Sequence, residues 1–426
     1  MELEQAGKIF ADLIRIPSVT ASEGEKAACD FLKNILEGAG IPCEIVAKTP
    51  DRPNLLACLK ASDPVEPPMM LISHIDVVAA DPAKWQQDPF GGVTAGGRIH
   101  GRGTLDTKQL TVMELYAFLE LKLRQKELNR DVWFVATIDE EGGSAFGMGY
   151  LKEVRPELFH GSIVINEGGG FPMRINGQNY LMMTVGEKGI CSVKLTARGQ
   201  GSHASAPGGD QAVLKMAEAL KSIFAREKEL SVGSRRIRCL MEKILGTDRI
   251  DNPLAEALWQ YAGESSIGMR NYRIGQRSNV VPSSCEVTLE MKVLPYAGSE
   301  EICSFLERAL EGCQVSYEIV NFEKGFESNE ENSMLLDLIQ KAETFAGRHG
   351  FPCRVLPMLA LGRTDGRFYG SEDSMVYGFS PVRMEDSFNE ILPKVHGPNE
   401  SITVDSFFFG CRMLMSLTKE YCLPQR

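Results

Sequence analysis

Val132-Trp133-Phe134-Val135-Ala136-Thr137-Ile138-Asp139-Glu140-Glu141-Gly142-Gly143 is the stretch that decides how this chain is read. From Val132 to Ile138 it is apolar but for Thr137, the pattern of a strand buried on both faces. Three carboxylates follow where that strand has to end. Neighbouring like charges are costly unless a proton or a cation compensates them. Open α/β sheets keep their ligands beyond the carboxyl ends of the strands. A metal ion is the natural compensator at such a place.

Outward from this point, strands alternate with helices. Helical spacing covers 2–15, stopping before Pro17, and 22–37, ending near Gly38 and Gly40. Short strands are expected at 43–46, 54–59 and 69–73. A Gly-rich stretch from Gly91 to Gly103 gives way to a helix over 107–126. After Glu140 a helix runs to about Val154, and 162–165 reads as another strand. This alternation predicts an α/β domain whose mixed, mainly parallel central sheet is flanked by helices.

The texture changes after Gly186-Glu187-Lys188-Gly189. Residues 190–198 and 285–293 alternate apolar and polar, as strands of a one-sided antiparallel sheet do. Helices over 210–229 and 299–310 and a strand over 314–320 complete an α+β unit. The polar segment 321–332 reads as the way back. A helix, a strand at 353–359 and a last helix over 401–420 follow. The expected organisation is therefore an α/β domain in two segments, 1–189 and 321–426, with 190–320 inserted between them.

The chain has 426 residues, enough for one to three domains. Its net charge of −11 offers no basic face for nucleic acid. The first residues lack a basic segment followed by an apolar one, and no run of about 18 apolar residues occurs, so no membrane partner is expected. The 11 cysteines are dispersed with no CxxC pair, which points to reduced thiols and a cytoplasmic location.

Only six histidines occur, so each can be weighed. His74 follows an apolar strand in Ser73-His74-Ile75-Asp76, and residues two apart in extended chain share a face. Asp76 can thus orient His74 from behind. Alone, the pair is equally a buried hydrogen bond. Asp106 sits in Gly103-Thr104-Leu105-Asp106-Thr107-Lys108, where a helix begins; alone it reads as a helix N-cap. Glu167 stands just past a strand in Ile165-Asn166-Glu167-Gly168, and His396 just before the last helix in Val395-His396-Gly397-Pro398-Asn399-Glu400. His100, His160 and His349 have no such context and read as structural.

Together His74, Asp106, Glu141, Glu167 and His396 supply two imidazoles and three carboxylates. Two metal ions about 3.5–4 Å apart need a bridging carboxylate and further ligands on each side. Asp106 as the bridge, with one His and one Glu per ion, satisfies that count. Glu140 is left over beside a ligand, the position of a general base acting on a metal-bound water.

At these residues the chain resembles the zinc aminoacylase, carboxypeptidase and dipeptidase family. The resemblance runs through Ile16-Pro17-Ser18-Val19, the HxD at 74–76, the stretch from Trp85 to Lys108 and the double Glu at 140–141. It continues in Asn166-Glu167-Gly168, Ser202-His203-Ala204-Ser205, Thr364-Asp365-Gly366-Arg367-Phe368 and His396 to Glu400. It implies a catalytic domain interrupted by a lid, two Zn2+ ions (Mn2+ or Co2+ in their place), and a role for each motif residue. His74 and Glu167 would hold one ion, Glu141 and His396 the other, with Asp106 between them. Asp76 would orient His74, and Glu140 would be the base. His203 would stabilise the oxyanion, sometimes from a second subunit, since in this family the lid often makes a homodimer. Arg367 and Asn279 would hold a free substrate carboxylate, the Arg by its bidentate fork.

Four positions depart from the family pattern: Gln109, Arg363, Glu290-Met291-Lys292 and Asn166. None is a ligand position, so they bear on substrate choice. The region around Trp85, Glu187-Lys188-Gly189 and the ending at Glu400 look closest to the carboxypeptidase S branch. That favours a dipeptidase or carboxypeptidase acting on small peptides over an N-acyl-amino-acid amidohydrolase. A non-catalytic metal-binding protein is the remaining reading, and it would normally have lost Glu140 or a ligand.

Overall fold

The computed structural model describes residues 1–247, 249–274, 279–328, 333–370 and 373–424. Ser278 of the Asn279 motif and residues 329–332 of the polar return segment lie outside the described residues. The chain forms two compact units. The first contains 1–185, 247–256 and 328–426, and the second 186–246 and 257–327.

The first unit is built on a mixed sheet. Its centre is four parallel strands in the order Val132–Thr137, Met69–His74, Ile163–Asn166 and Met375–Gly378. Met69–His74 is buried along its whole length, which is why it reads as a continuous apolar run rather than an alternation. Pro53–Leu59 and then Cys43–Ala47 extend one side antiparallel, and Gln178–Glu187 pairs antiparallel on the other. Because the four central strands run the same way, His74, Thr137, Asn166 and Gly378 end at one edge. Every candidate ligand but two is a residue at or just beyond such an end.

Helices flank this sheet. Lys108–Lys122 packs on the strand Met69–His74 and is covered in turn by Leu3–Ile14 and Val404–Cys422. Being sandwiched, it is buried on nearly every side and shows no single apolar stripe. Gly410 allows the close crossing of the last helix: a Cβ there would sit 2.4 Å from Met113 Cε.

The helices expected over 107–126 and 210–229 end early, at Lys122 and Ala225, and two others begin later than the pattern suggested. Beyond Glu140 the chain makes a tight turn, with Asp139 in the left-handed region (φ 65°), and becomes helical only at Met148–Val154. The last helix is Val404–Cys422, because Ser401–Thr403 is spent as a strand against Arg98–His100. That pairing carries the His396 segment to the Gly-rich segment before Asp106.

The second unit is a four-stranded antiparallel sheet in the order Ser266–Ile274, Ser284–Val293, Gly189–Arg198 and Val315–Glu323. Ala212–Ala225 and Ser299–Ala309 cover one face. Val193, Leu195, Val287, Leu289 and Met291 pack with Met216, Ile223, Phe305 and Leu306 of these helices. The intervening Lys194, Glu286, Thr288 and Glu290 are only partly covered, as the period-two pattern requires. The strand Ser266–Ile274 and the helices Arg236–Leu245 and Pro253–Tyr261 had no reading in the sequence.

Candidate metal centre

The three carboxylates after Val132–Thr137 part company. Asp139 turns away and accepts from Arg52 Nη2 at 2.8 Å, while Arg52 also grips buried Glu25 through both oxygens at 2.7 and 2.8 Å. Asp139 is therefore compensated by an arginine 87 residues earlier. Glu140 and Glu141 are held by their backbones: Asp76 Oδ1 accepts from Glu140 N at 3.1 Å, and Oδ2 from Glu141 N at 3.3 Å. Thr20 Oγ1 donates to the same Oδ2 at 2.9 Å. Asp76, fully buried, thus fixes the double Glu as well as the strand end on which it sits.

His74 is buried at its strand end. Its Nδ1 faces the Asp76 main-chain oxygen at 2.9 Å, with the Asp76 carboxylate farther off at 3.5 Å. A proton on Nδ1 satisfies that carbonyl and leaves Nε2 as the free ligand atom. Nε2 lies 3.1 Å from Asp106 Oδ1 and 3.5 Å from Glu167 Oε2. His396 Nε2 lies 3.1 Å from the other Asp106 oxygen and 2.9 Å from Glu141 Oε1. Ligand atoms thus fall into two groups, His74–Asp106–Glu167 and Asp106–Glu141–His396, each within 4.8 Å, sharing Asp106. Asp106 is not a helix cap: the helix starts at Lys108 behind Thr107, with no side-chain cap. Gly378 lets its strand lie against Glu167, since a Cβ there would stand 2.1 Å from the Glu167 carbonyl oxygen.

The electrostatics are those of a site short of positive charge. Burial alone would lower the His74 pKa, but the Glu167 charge and the bond to Asp106 hold it well above the ordinary imidazole value. Asp106 and Glu141 raise His396 to about 10. Burial, which would raise Asp106, is overcome by its bonds to His396 and His74, and its pKa is lowered. Burial pushes Glu167 up to about 7. Burial and then the Glu167 charge raise Glu140 well above a normal carboxyl. Protons gather wherever a divalent cation would relieve the same repulsion. The donor set, imidazole with carboxylate, suits zinc and its first-row neighbours.

Several residues named in the sequence motifs without a bonding role are partners of the site. Ser18 of the Ile16-Pro17 signature donates to the Ile75 carbonyl at 2.5 Å, just behind His74. Buried Lys108 donates to the carbonyls of Leu13 and Ile16 at 2.9 and 2.8 Å and so ties that segment down; burial lowers its pKa to about 7. Asp365 accepts from Thr137 Oγ1 at 2.7 Å and Ser144 Oγ at 2.6 Å, and Asn166 Nδ2 donates to Thr364 Oγ1 at 2.7 Å. An ionised Asp at 166 could not donate there and could only accept from the Thr364 hydroxyl. Gln109 donates to the Leu105 carbonyl at 2.7 Å.

Arg367 lies in this unit with Nη1 3.7 Å from Glu140 Oε1. Its Nη1 donates to Thr364 O at 2.7 Å and its Nη2 to Ser144 Oγ at 2.8 Å. His203 and Asn279 belong to the second unit and are neighbours there. The short strand Ser202–His203 pairs with Val280–Val281, and Ala204 N donates to the Asn279 carbonyl at 3.0 Å. The exposed His203 ring is held through Nδ1 by Ser205 Oγ at 2.7 Å.

A mixed sheet with a parallel core, carrying two His–carboxylate groups about one shared Asp beside its strand ends, offers the kind of centre that metal-dependent hydrolases use. The profile of Peptidase family M20/M25/M40 matches residues 70–420, and the chain belongs to that family. It is 23% identical over 439 residues to the human (Homo sapiens) N-fatty-acyl-amino acid synthase/hydrolase PM20D1, spanning 95% of this chain and 85% of that one. It is likewise 23% identical over 410 residues to Aminoacylase-1 of Mus musculus, spanning 94% and 91%. In structure it is similar to the M20 family metallo-carboxypeptidase Sso-CP2 from Sulfolobus solfataricus, with a TM-score of 0.72, 18% identity and 99% of each chain covered. The protein is thus an amidohydrolase or peptidase of this family.

Proposed function

We propose that this chain is a dinuclear zinc hydrolase that cleaves an amide next to a free carboxylate in small substrates. One ion would be held by His74, Glu167 and Asp106, and the other by Glu141, His396 and Asp106. The observation that carries this reading is Asp106, whose two oxygens each face a different imidazole at 3.1 Å. Mn2+ or Co2+ would also fit so carboxylate-rich a set. When bound, the ions would supply Lewis acidity, making a water easier to deprotonate and an amide carbonyl more electrophilic.

The remaining work falls to side chains. Glu140 stands outside both ligand groups, and its raised pKa suits a carboxyl that takes a proton from water and passes it to the leaving amine. Asp76 keeps Glu140 and Glu141 in register by accepting both backbone amides. His203 would donate to the oxyanion that forms on the substrate carbonyl. Asn279 and Arg367 would hold the substrate carboxylate; the five N–H donors of Arg367 are more than its bonds to Thr364 O and Ser144 Oγ take up.

The second unit would act as a lid and carry a homodimer contact. For the homodimer contact the support is its edge strand Ser266–Ile274, which leaves Met269, Tyr272 and Ile274 exposed on an unpaired flank among the described residues. The 11 cysteines, unpaired among the described residues, suit a reducing cytoplasm. Among the described residues no helix is long and apolar enough to cross a membrane.

Two substrate readings stand. The motifs of the carboxypeptidase S branch favour short peptides. The likeness to a fatty-acyl-amino acid synthase/hydrolase and an aminoacylase over nearly the whole chain favours N-acyl amino acids. A panel of unblocked dipeptides and N-acyl amino acids, each with the C-terminal carboxylate free or amidated, separates them. Cleavage that needs both the α-amine and the carboxylate marks a dipeptidase, and cleavage indifferent to the amine an acylase. No cleavage of any carboxylate-bearing amide with zinc present would overturn the proposal.

A further inference from the structure

The two imidazoles of the centre are held in place by different means. His74 is on a buried strand, so packing and the sheet fix its ring. His396 is on a loop, in the left-handed region (φ 59°), with its side chain 51% exposed. Packing cannot aim such a ring. Its backbone is held by a turn, in which Gly397 N donates to the Lys394 carbonyl at 2.8 Å, and by Arg102, whose Nη2 donates to the carbonyls of His396 and Gly397 at 3.1 and 3.0 Å.

Arg102 is in turn locked. Its Nη1 donates to Glu400 Oε2 at 2.7 Å, its guanidinium lies 5.3 Å from the centre of the Trp85 ring, and both charged residues are buried. Glu400 uses its remaining capacity on the other loop. Oε2 accepts from Gly103 N at 3.1 Å, and Oε1 from Leu105 N at 2.5 Å and Asp106 N at 3.2 Å. One buried ion pair thus grips the backbone of the shared ligand Asp106 with one end and that of His396 with the other. At the His396 end the other backbone bonds are local: Val395 N donates to the Ile391 carbonyl at 3.2 Å and Gly397 N to the Lys394 carbonyl at 2.8 Å; farther along the loop, Asn399 Oδ1 accepts from Gln86 N at 2.7 Å.

We propose that Arg102, held by Glu400, is a positioning residue that sets the affinity of the second ion place, Glu141–His396, while the first place, His74–Glu167, is set by the sheet. This rests on the dinuclear reading above. Arg102 would not touch an ion; it acts through the backbone of His396. Partners behind metal ligands typically govern about 10–100-fold in affinity.

The test is zinc titration of the chelator-stripped full chain, followed by calorimetry and elemental analysis, comparing the unaltered chain with Arg102→Met and with His396→Ala. The unaltered chain takes two ions. Arg102→Met keeps the first at its original affinity and binds the second about 10–100-fold more weakly, approaching the one-ion behaviour of His396→Ala. If Arg102→Met does not fold, Arg102→Lys carries the test: it keeps a cation beside Glu400 but has no fork to span both carbonyls, and it too weakens the second ion alone. Two ions bound by the variant with unchanged affinities, or both weakened equally, overturn this inference and leave the dinuclear reading standing. A single ion in the unaltered chain overturns the dinuclear reading itself, and this inference with it.

Discussion

The edge of the first unit's sheet and the sheet of the second unit treat polar residues in opposite ways. In the second unit, Lys194, Glu286 and Thr288 alternate with Val193, Leu195 and Val287, so each polar side chain reaches water and each apolar one reaches the helices. At the edge of the first, His74, Asp76, Glu25, Asp365 and Glu400 are buried. Each is satisfied there by a particular partner. The first arrangement is a packing solution, tolerant of its polar residues and intolerant of changes to its core. The second is a network in which a polar change costs chemistry as well as stability.

The largest effect expected from that contrast is at Glu140. Glu140→Gln should lower turnover by about 10²–10⁴-fold or more while the zinc content stays that of the unaltered chain. Steady-state rates and elemental analysis on one preparation check it. Normal turnover by this variant would break the contrast at its functional end.

In the second unit the effect should move to stability. Leu289 is fully buried between the sheet and its helices. Leu289→Ala should cost about 2–5 kcal/mol in urea unfolding, with zinc affinity unchanged. A loss of zinc affinity there would mean that the two regions are not separable in this way.

The pH dependence of zinc binding sharpens the electrostatic side. In the metal-free site Glu167 titrates at about 7 and His396 at about 10, both raised, so each holds its proton below those values and must release it to ligate. Zinc affinity should therefore fall as pH falls, by up to about tenfold per pH unit for each proton displaced. Calorimetric titrations in buffers of different ionisation enthalpy count those protons. Affinity independent of pH would contradict the charge account.

The smallest effect should be at Lys194, whose ion pair with Glu286 is about one-third exposed on both sides. Lys194→Ala should change unfolding stability by no more than about 0.5 kcal/mol.

The same contrast explains what was legible. Period-two alternation announces the strands Gly189–Arg198 and Ser284–Val293 directly, and apolar runs announce the central parallel strands. His74, Glu141 and Glu167 were legible because each stands at or just past the end of an apolar run, and Asp106 and His396 because each stands in a Gly-bearing motif ahead of a helix. Ser266–Ile274 was not: it is an edge strand whose residues are mostly exposed, so neither period nor burial marks it. The supporting network was hidden for another reason. Arg102 and Glu400 are 298 residues apart, Thr137 and Asp365 are 228 apart, and each alone looks like an ordinary polar residue. Asp139 was grouped with Glu140 and Glu141 by adjacency, whereas its charge is taken up by Arg52.

The central claim is that Asp106 stands between two ions. A crystal structure of the zinc-loaded chain, with anomalous data collected on both sides of the zinc edge, tests it most directly. The account predicts two zinc peaks about 3.5–4 Å apart, one on either side of Asp106. The first should be bound by His74 and Glu167, and the second by Glu141 and His396. A single peak, or a pair that does not share Asp106, would contradict it.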